Sequence, residues 1–282
     1  MKIARCFRDG SRYWAVIDSE RNLATPLSGA IEAWTAAWCR GDIEAHLDRA
    51  HRHALSEARL LAPVDPTAKV LCFGMNYRSH LEAFGKTMPD RPVAYLKAQT
   101  AVIAHDDPLV RPRLTNQLDY EIELVVVMAR AVEPGEAQSA AVLGYTIGND
   151  VSARDLANGP RGLDLFSVKS LNGTCGIGPW IVTSDEIAAP PDVLMELRVN
   201  GEVRQHERTG NMHWGFDFLL TYIDERTRLL PGDLVFTGTP AGVGLEDKRF
   251  LQPGDVIEAE IENIGVLRNT VAEPRGATIA QA

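Results

Sequence analysis

The sequence has no run of 18 apolar residues, so no segment reads as a membrane-spanning helix. The first ten residues carry Lys2, Arg5, Arg8 and Asp9 and no apolar stretch, so no secretory signal is expected. There is no Cys-X-X-Cys pair either. Cys6, Cys39, Cys72 and Cys175 are widely scattered, which excludes a zinc-ribbon spacing and reads as free thiols of a reducing compartment. Together these absences make the cytoplasm the expected location. Basic charge is also short: 29 Lys and Arg stand against 38 Asp and Glu, with no basic run, so a nucleic-acid partner is not expected. A small anionic substrate stays open, because a metal and local charges can override the net sign.

What is present is a chain long enough to bury a substantial core, 282 residues. Two strand-like runs, Ile3–Arg8 and Tyr13–Asp18, flank Asp9-Gly10, a hairpin turn signal. Residues 29–61 read as helical, from the spacing of Ile43, Leu47, Ala50, Ala54 and Leu61. That would place His46, His51 and His53 on a solvated helix face. Pro63 and Pro66 then suggest a boundary, with a small N-terminal region over 1–66, a core over 67–274 and a flexible tail over 275–282. Within the core, short strand candidates recur at 70–73, 94–97, 122–128, 143–147, 180–183, 194–200, 234–237 and 256–261. Helices are expected only at 136–143 and 214–226. The fold class predicted is α+β, mostly β, with a rolled sheet or barrel-like sandwich.

The chemistry starts at 118–128, Leu-Asp-Tyr-Glu-Ile-Glu-Leu-Val-Val-Val-Met. Residues two apart on a strand share a face, so Glu121 and Glu123 point the same way from an apolar strand. Paired carboxylates repel, and burying them without a partner is costly; a cation resolves both problems. A half-exposed strand with a polar outer face is the plain alternative. Asp150, after the strand-like 143–147, can supply a third oxygen or can cap a turn. Three carboxylates without Cys or His suit a hard ion such as Mg²⁺, Mn²⁺ or Ca²⁺. Lys169 lies in an uncharged run before Gly173–Gly178, where an ammonium held in a pocket can meet a carboxylate or an enolate oxygen. Residues 237–244, Thr-Gly-Thr-Pro-Ala-Gly-Val-Gly, match neither glycine-rich nucleotide motif, and read as a tight loop whose N–H groups and Thr239 hydroxyl face an anion, or as a plain turn. His80 can serve as a general base or be structural.

In order along the chain, G-M-N-Y-R-S-H at 74–80, Y-L-K at 95–97, Y-E-I-E-L at 120–124, N-D-V-S-A-R-D at 149–155, V-K-S-L at 168–171, G-P-W-I-V at 178–182, V-N-G-E-V-R-Q at 199–205 and P-G-D-L-V-F-T-G-T-P-A-G-V-G at 231–244 resemble the fumarylacetoacetate hydrolase family. The similarity is to its small bacterial-type members, acylpyruvases and 2-hydroxyhepta-2,4-diene-1,7-dioate isomerases. It implies a mixed β-sandwich roll, a homodimer, and Mg²⁺ or Mn²⁺ on Glu121, Glu123 and Asp150. It also implies a 2-oxo acid held by Lys169 and Thr239, with Tyr77 and Arg154 joining the substrate-binding set. The segment around His80 would be a mobile lid.

Two positions depart from the family pattern. Ala83 stands where a Glu often follows the lid histidine, leaving Glu82 as the nearest carboxylate, and Ala157 stands where Gln is frequent. The leading expectation is hydrolytic C–C cleavage of an acylpyruvate, with His80, Glu82 and Lys169 as catalytic groups. Decarboxylation, isomerisation or dehydration of a 2-oxo acid is the alternative, and a non-catalytic metabolite-binding relative is a third. The distal end of the substrate would be read by lid residues or by Arg78, Arg161 or His206.

Overall fold

The computed structural model describes residues 1–160 and 162–274; the expected tail over 275–282 and Arg161 lie outside the described residues. The strands used below are β1 (Lys2–Arg8), β2 (Ser11–Asp18), β3 (Leu23–Leu27), β4 (Val70–Gly74), β5 (Val93–Leu96), β6 (Ile122–Met128), β7 (Val142–Asp150), β8 (Cys175–Thr183), β9 (Leu194–Val199), β10 (Glu202–Arg208), β11 (Leu234–Phe236), β12 (Val256–Ile261) and β13 (Gly265–Ala272). The helices are α1 (Ile31–Cys39), α2 (Arg78–Ala83), α3 (Leu165–Lys169), α4 (Phe216–Asp224) and α5 (Gly244–Asp247).

Two sheets make the roll. The larger, of 12 strands, runs from His53–Ala54 through β3-β2-β1-β8-β7-β6-β11-β4-β5 along its main path; the smaller, of five, runs β10-β9-β12-β13 and ends on Pro108–Val110. Most neighbours are antiparallel, but β11 pairs parallel with β4, which makes the large sheet mixed. β1 hydrogen-bonds to β8 through Lys2 and Ile3, so the N-terminal hairpin extends the same sheet that carries the central strands.

β6 is the centre of the molecule, and all seven of its residues are buried. Leu124 and Val126 on one face join the core between the sheets, with Met195, Leu197, Ile257 and Leu267. Val125 and Val127 on the other face pack with Val70, Leu143, Ile177 and Phe236. A strand covered on both faces reads as a near-continuous apolar run, which 122–128 does apart from Glu123. Alternation therefore fixes which face Glu121 and Glu123 share: the Val125 face. Gly148, opposite Glu123 on β7, lets Phe236 pack against that face; a Cβ there would lie 2.2 Å from the ring.

Two expected helices are corrected. The helical reading of 29–61 holds only for Ile31–Cys39. Gly41, at φ +80°, ends the helix in the left-handed region that glycine tolerates. Beyond it the chain makes short 3₁₀ turns at Ile43–His46 and Arg49–His51 and a strand pair at His53–Ala54. His46, His51 and His53 therefore do not share one helix face. The expected helix at 136–143 is a 3₁₀ turn, Gln138–Ala141, and β7 begins at Val142, because pairing with β6 captures the apolar run.

Candidate metal and active site

The site lies at the start of β6. Glu121 sits just before it and Glu123 within it, and β7 delivers Asp150 as its last residue. Glu121, Glu123 and Asp150 each place one carboxylate oxygen within 4.8 Å of the others, and all three are buried. Among the described residues this is the one such cluster of three or more acidic, His or Cys side chains. The sequence argument for a shared face is thus met by a tertiary one: β7 pairs antiparallel with β6 and brings Asp150 back beside Glu121.

Cations are interleaved with these anions. Lys169 Nζ donates to Glu121 Oε2 at 2.7 Å, to Asp150 Oδ2 at 2.7 Å and to the Asp150 carbonyl at 3.0 Å. An ammonium has three N–H donors, so Lys169 is fully engaged. Lys97 Nζ lies 2.7 Å from Asp150 Oδ1 and also donates to the Lys169 carbonyl. The Tyr95 hydroxyl donates to Asp150 as well. Arg154 bridges Asp119 and Glu121, and the Ser152 hydroxyl donates to Glu121 Oε1 at 2.9 Å. On the far side, the Gly238 amide donates to Glu123 Oε2 at 2.7 Å. Gly238 has φ +101°, and a Cβ there would meet Asn76 Cβ at 2.8 Å, so the loop reaches this carboxylate because the residue is glycine.

The carboxylates divide in their protonation. Burial pushes Asp150 upward, but Lys169 and Lys97 outweigh it and hold its carboxyl below the usual range. Burial opposes ionisation of Glu121 too, and Lys169 and Arg154 overcome it. Among the described residues no cation forms an ion pair with Glu123: burial, then Asp150 and Glu121, outweigh Lys169 and raise it well above an ordinary carboxyl. Three buried carboxylates with Glu123 uncompensated by a cation are a donor set that a hard divalent ion fits. All ligand atoms are oxygens. The buried Cys72 and Cys175 nearby stay thiols, pushed upward chiefly by burial.

A cavity of about 220 Å³ opens onto this cluster. Glu121, Glu123, Arg154, Lys169, Thr239 and His80 line it, as do Met75, Leu81 and Phe84 from the segment around α2. Met75 is held at φ +60°, an uncommon conformation for a long side chain, at the turn from β4 into α2. His80 is pushed down to about 4, chiefly by burial, so its imidazole is neutral at pH 7. Its Nδ1 is buried without a hydrogen-bond partner, and its ring packs edge-on to Phe84 at 5.3 Å.

Several expected site residues sit differently from their sequence reading. Glu82 is exposed, does not line the cavity and makes no hydrogen bond to His80, because residues two apart on a helix point to nearly opposite sides. Tyr77 is packed into the core with its hydroxyl unpartnered and does not line the cavity. The Thr239 hydroxyl donates to the Ile122 carbonyl and accepts from Gln205 Nε2, both at 2.9 Å, so its one proton is spent on the backbone of β6. Four site residues escaped the sequence reading as such: Lys97, Tyr95, Asp119 and Gln205. Lys97 closes an apolar strand, and Asp119 continues the two-residue spacing of Glu121 and Glu123, so both carried a signal. Gln205 carried a signal only as the last residue of the V-N-G-E-V-R-Q motif.

A mixed β-roll with a buried Glu-Glu-Asp cluster beneath an apolar-walled cavity is an arrangement that could hold a divalent ion, and the comparisons name the family. Residues 69–272 match the family described as "Fumarylacetoacetate (FAA) hydrolase C-terminal", so the chain belongs to the fumarylacetoacetate hydrolase family. "Oxaloacetate tautomerase FAHD2A, mitochondrial" of Bos taurus is 37% identical over 220 residues, covering 77% of this chain and 70% of the relative. Among solved structures, a 2-hydroxyhepta-2,4-diene-1,7-dioate isomerase from Mycobacterium marinum superposes with a TM-score of 0.78 at 31% identity, over 98% of this chain and 100% of that one. A fumarylacetoacetate hydrolase from Exiguobacterium antarcticum gives 0.79 at 37% identity, over 97% of this chain and 99% of that one.

Proposed function

We propose that the protein moves a proton at the carbon next to the 2-oxo group of a small 2-oxo acid, as a tautomerase or double-bond isomerase using Mg²⁺ or Mn²⁺. The observation that carries this over hydrolysis is the surrounding of His80. Hydrolysis needs a base that activates an attacking water, and among the described residues no carboxylate hydrogen-bonds the imidazole, since Glu82 faces solvent. Proton transfer along the substrate needs only one neutral acceptor in the cavity. The bovine tautomerase and the mycobacterial isomerase named above support the same class of reaction.

A divalent ion on Glu121, Glu123 and Asp150 would supply Lewis-acid polarisation of the 2-oxo carbonyl. The chain's own residues supply the rest. His80 Nε2 or Nδ1 takes the proton from carbon 3; the C–H electron pair becomes the C2–C3 double bond, and the carbonyl oxygen takes up charge and then a proton. Lys169 and Arg154 keep positive charge beside that oxygen while holding the carboxylates in place. Leu81 and Phe84 exclude water from the intermediate.

The test follows enol absorbance of phenylpyruvate, a 2-oxo monoacid, and products from acetylpyruvate, with Mn²⁺. Tautomer exchange above the spontaneous rate, with no acetate from acetylpyruvate, is expected. His80→Ala should lower the rate by roughly 10²- to 10⁴-fold, and Glu82→Ala should leave it near the parent value. Stoichiometric acetate release would overturn the assignment in favour of C–C hydrolysis.

A further inference from the structure

Resting on that reading of the site, we propose that the cavity beyond the carboxylates is a hydrocarbon subsite, so that the substrate is a 2-oxo monoacid with an apolar tail rather than a diacid. The polar lining is concentrated at the carboxylates and their cations. The remaining walls come from separate elements: Leu81 and Phe84 from the α2 segment, Val93 from β5, Ala157 and Leu163 from the segment before α3, and Leu165 from α3 itself.

Leu163 is the most informative of these. It lines the cavity and is nevertheless 55% exposed, on a strand pair of two residues a side, Asn158–Gly159 with Gly162–Leu163. A leucine held open to water at the rim of an apolar cavity gains burial when a hydrocarbon tail covers it. A second carboxylate would do the reverse. Among the described residues, the cationic side chains lining the cavity are Lys86, Arg154 and Lys169, with His80 beside them. Arg154 and Lys169 are tied to carboxylates. Lys86 is exposed, and a solvated ammonium gains little from one more carboxylate. His80 is neutral. A distal carboxylate would therefore lose its water against leucine and phenylalanine walls without a buried partner.

Calorimetry on the Mn²⁺-loaded protein tests this with oxalate, then pyruvate, 2-oxobutanoate and 2-oxopentanoate, and 2-oxoglutarate as the diacid of equal chain length. Each added methylene should tighten binding about fourfold, the value of burying one CH₂. 2-Oxopentanoate should bind at least about tenfold tighter than 2-oxoglutarate. Leu163→Lys, an exposed change that threatens no core packing, should flatten the ladder and favour the diacid. If oxalate and pyruvate bind but 2-oxoglutarate matches or exceeds 2-oxopentanoate, the hydrocarbon subsite is overturned while the 2-oxo acid reading stands. If neither oxalate nor any 2-oxo acid binds, both fall.

Discussion

Arg154 joins Asp119 to Glu121: its Nε donates to Asp119 Oδ2 at 2.8 Å while Nη2 lies 2.6 Å from Glu121 Oε1. Asp119 in turn accepts from the Gly244 and Leu245 amides at 2.6 and 3.0 Å. One guanidinium thus locks a carboxylate of the candidate metal cluster to the start of α5, whose Leu245 lines the cavity. Only a planar fork reaches both acids at once.

Arg154→Lys keeps the charge and loses the bridge. Mn²⁺ affinity should fall by roughly 10- to 100-fold, the usual cost of removing a group that orients a metal ligand. Titration calorimetry reads it directly, and an unchanged affinity would show that Glu121 is oriented without Arg154.

Glu123→Gln should act in opposite directions with and without a divalent ion. Without one, Glu123 is the carboxyl that burial and its two acidic neighbours keep from ionising, so a neutral isostere costs little and the melting temperature should hold or rise. With saturating Mg²⁺ the parent gains stability through binding and the variant should gain far less. Paired thermal melts measure both. An equal Mg²⁺-induced shift in the two proteins would remove Glu123 from the ligand set.

Lys97 is buried against Asp150 Oδ1, and removing it leaves that buried oxygen without its cation while Lys169 still holds Oδ2. Lys97→Met should destabilise by about 3–5 kcal/mol in denaturant titrations. The exposed Arg249–Glu202 pair is the control: Arg249→Ala should cost far less despite its bidentate geometry, because solvent screens both charges. Similar losses at the two sites would contradict this ordering.

His80 sets a pH dependence with a definite sign. Burial lowers its imidazole from 6.5 to about 4. Between those values the unfolded chain binds a proton that the folded chain does not, so stability should fall as pH drops from about 6.5 towards 4 and be indifferent to His80 above that window. His80→Asn should flatten this part of a melting-temperature profile. A profile identical to the parent would mean that His80 titrates normally.

Much of the site was legible in one dimension because strand alternation is a local rule. Glu121 and Glu123 two apart on an apolar strand had to share a face, and Val125 and Val127 marked that face as buried. β6 and β12 match their sequence bounds, since apolar runs between turn residues leave little choice of state. The helix expected over 29–61 was not legible, because its apolar spacing is equally served by turns that dock on β3, and Gly41 stops the helix early. Glu82 failed for a similar reason: proximity in sequence to His80 does not give proximity on a helix.

The sequence by itself determined the mostly-β character and the shared face of Glu121 and Glu123, because each follows from residue type and short-range spacing, and the order of its motifs carried the resemblance to the family. The tertiary structure alone decided which charges are spent. It placed Lys97 on Asp150, across 53 residues of chain, and turned Thr239 towards β6. It also sent Glu82 to solvent and set Leu163 at the rim of the cavity. Such pairings depend on which strands lie side by side, and hydrogen-bond and ion-pair energies act only over the few ångströms that folding creates.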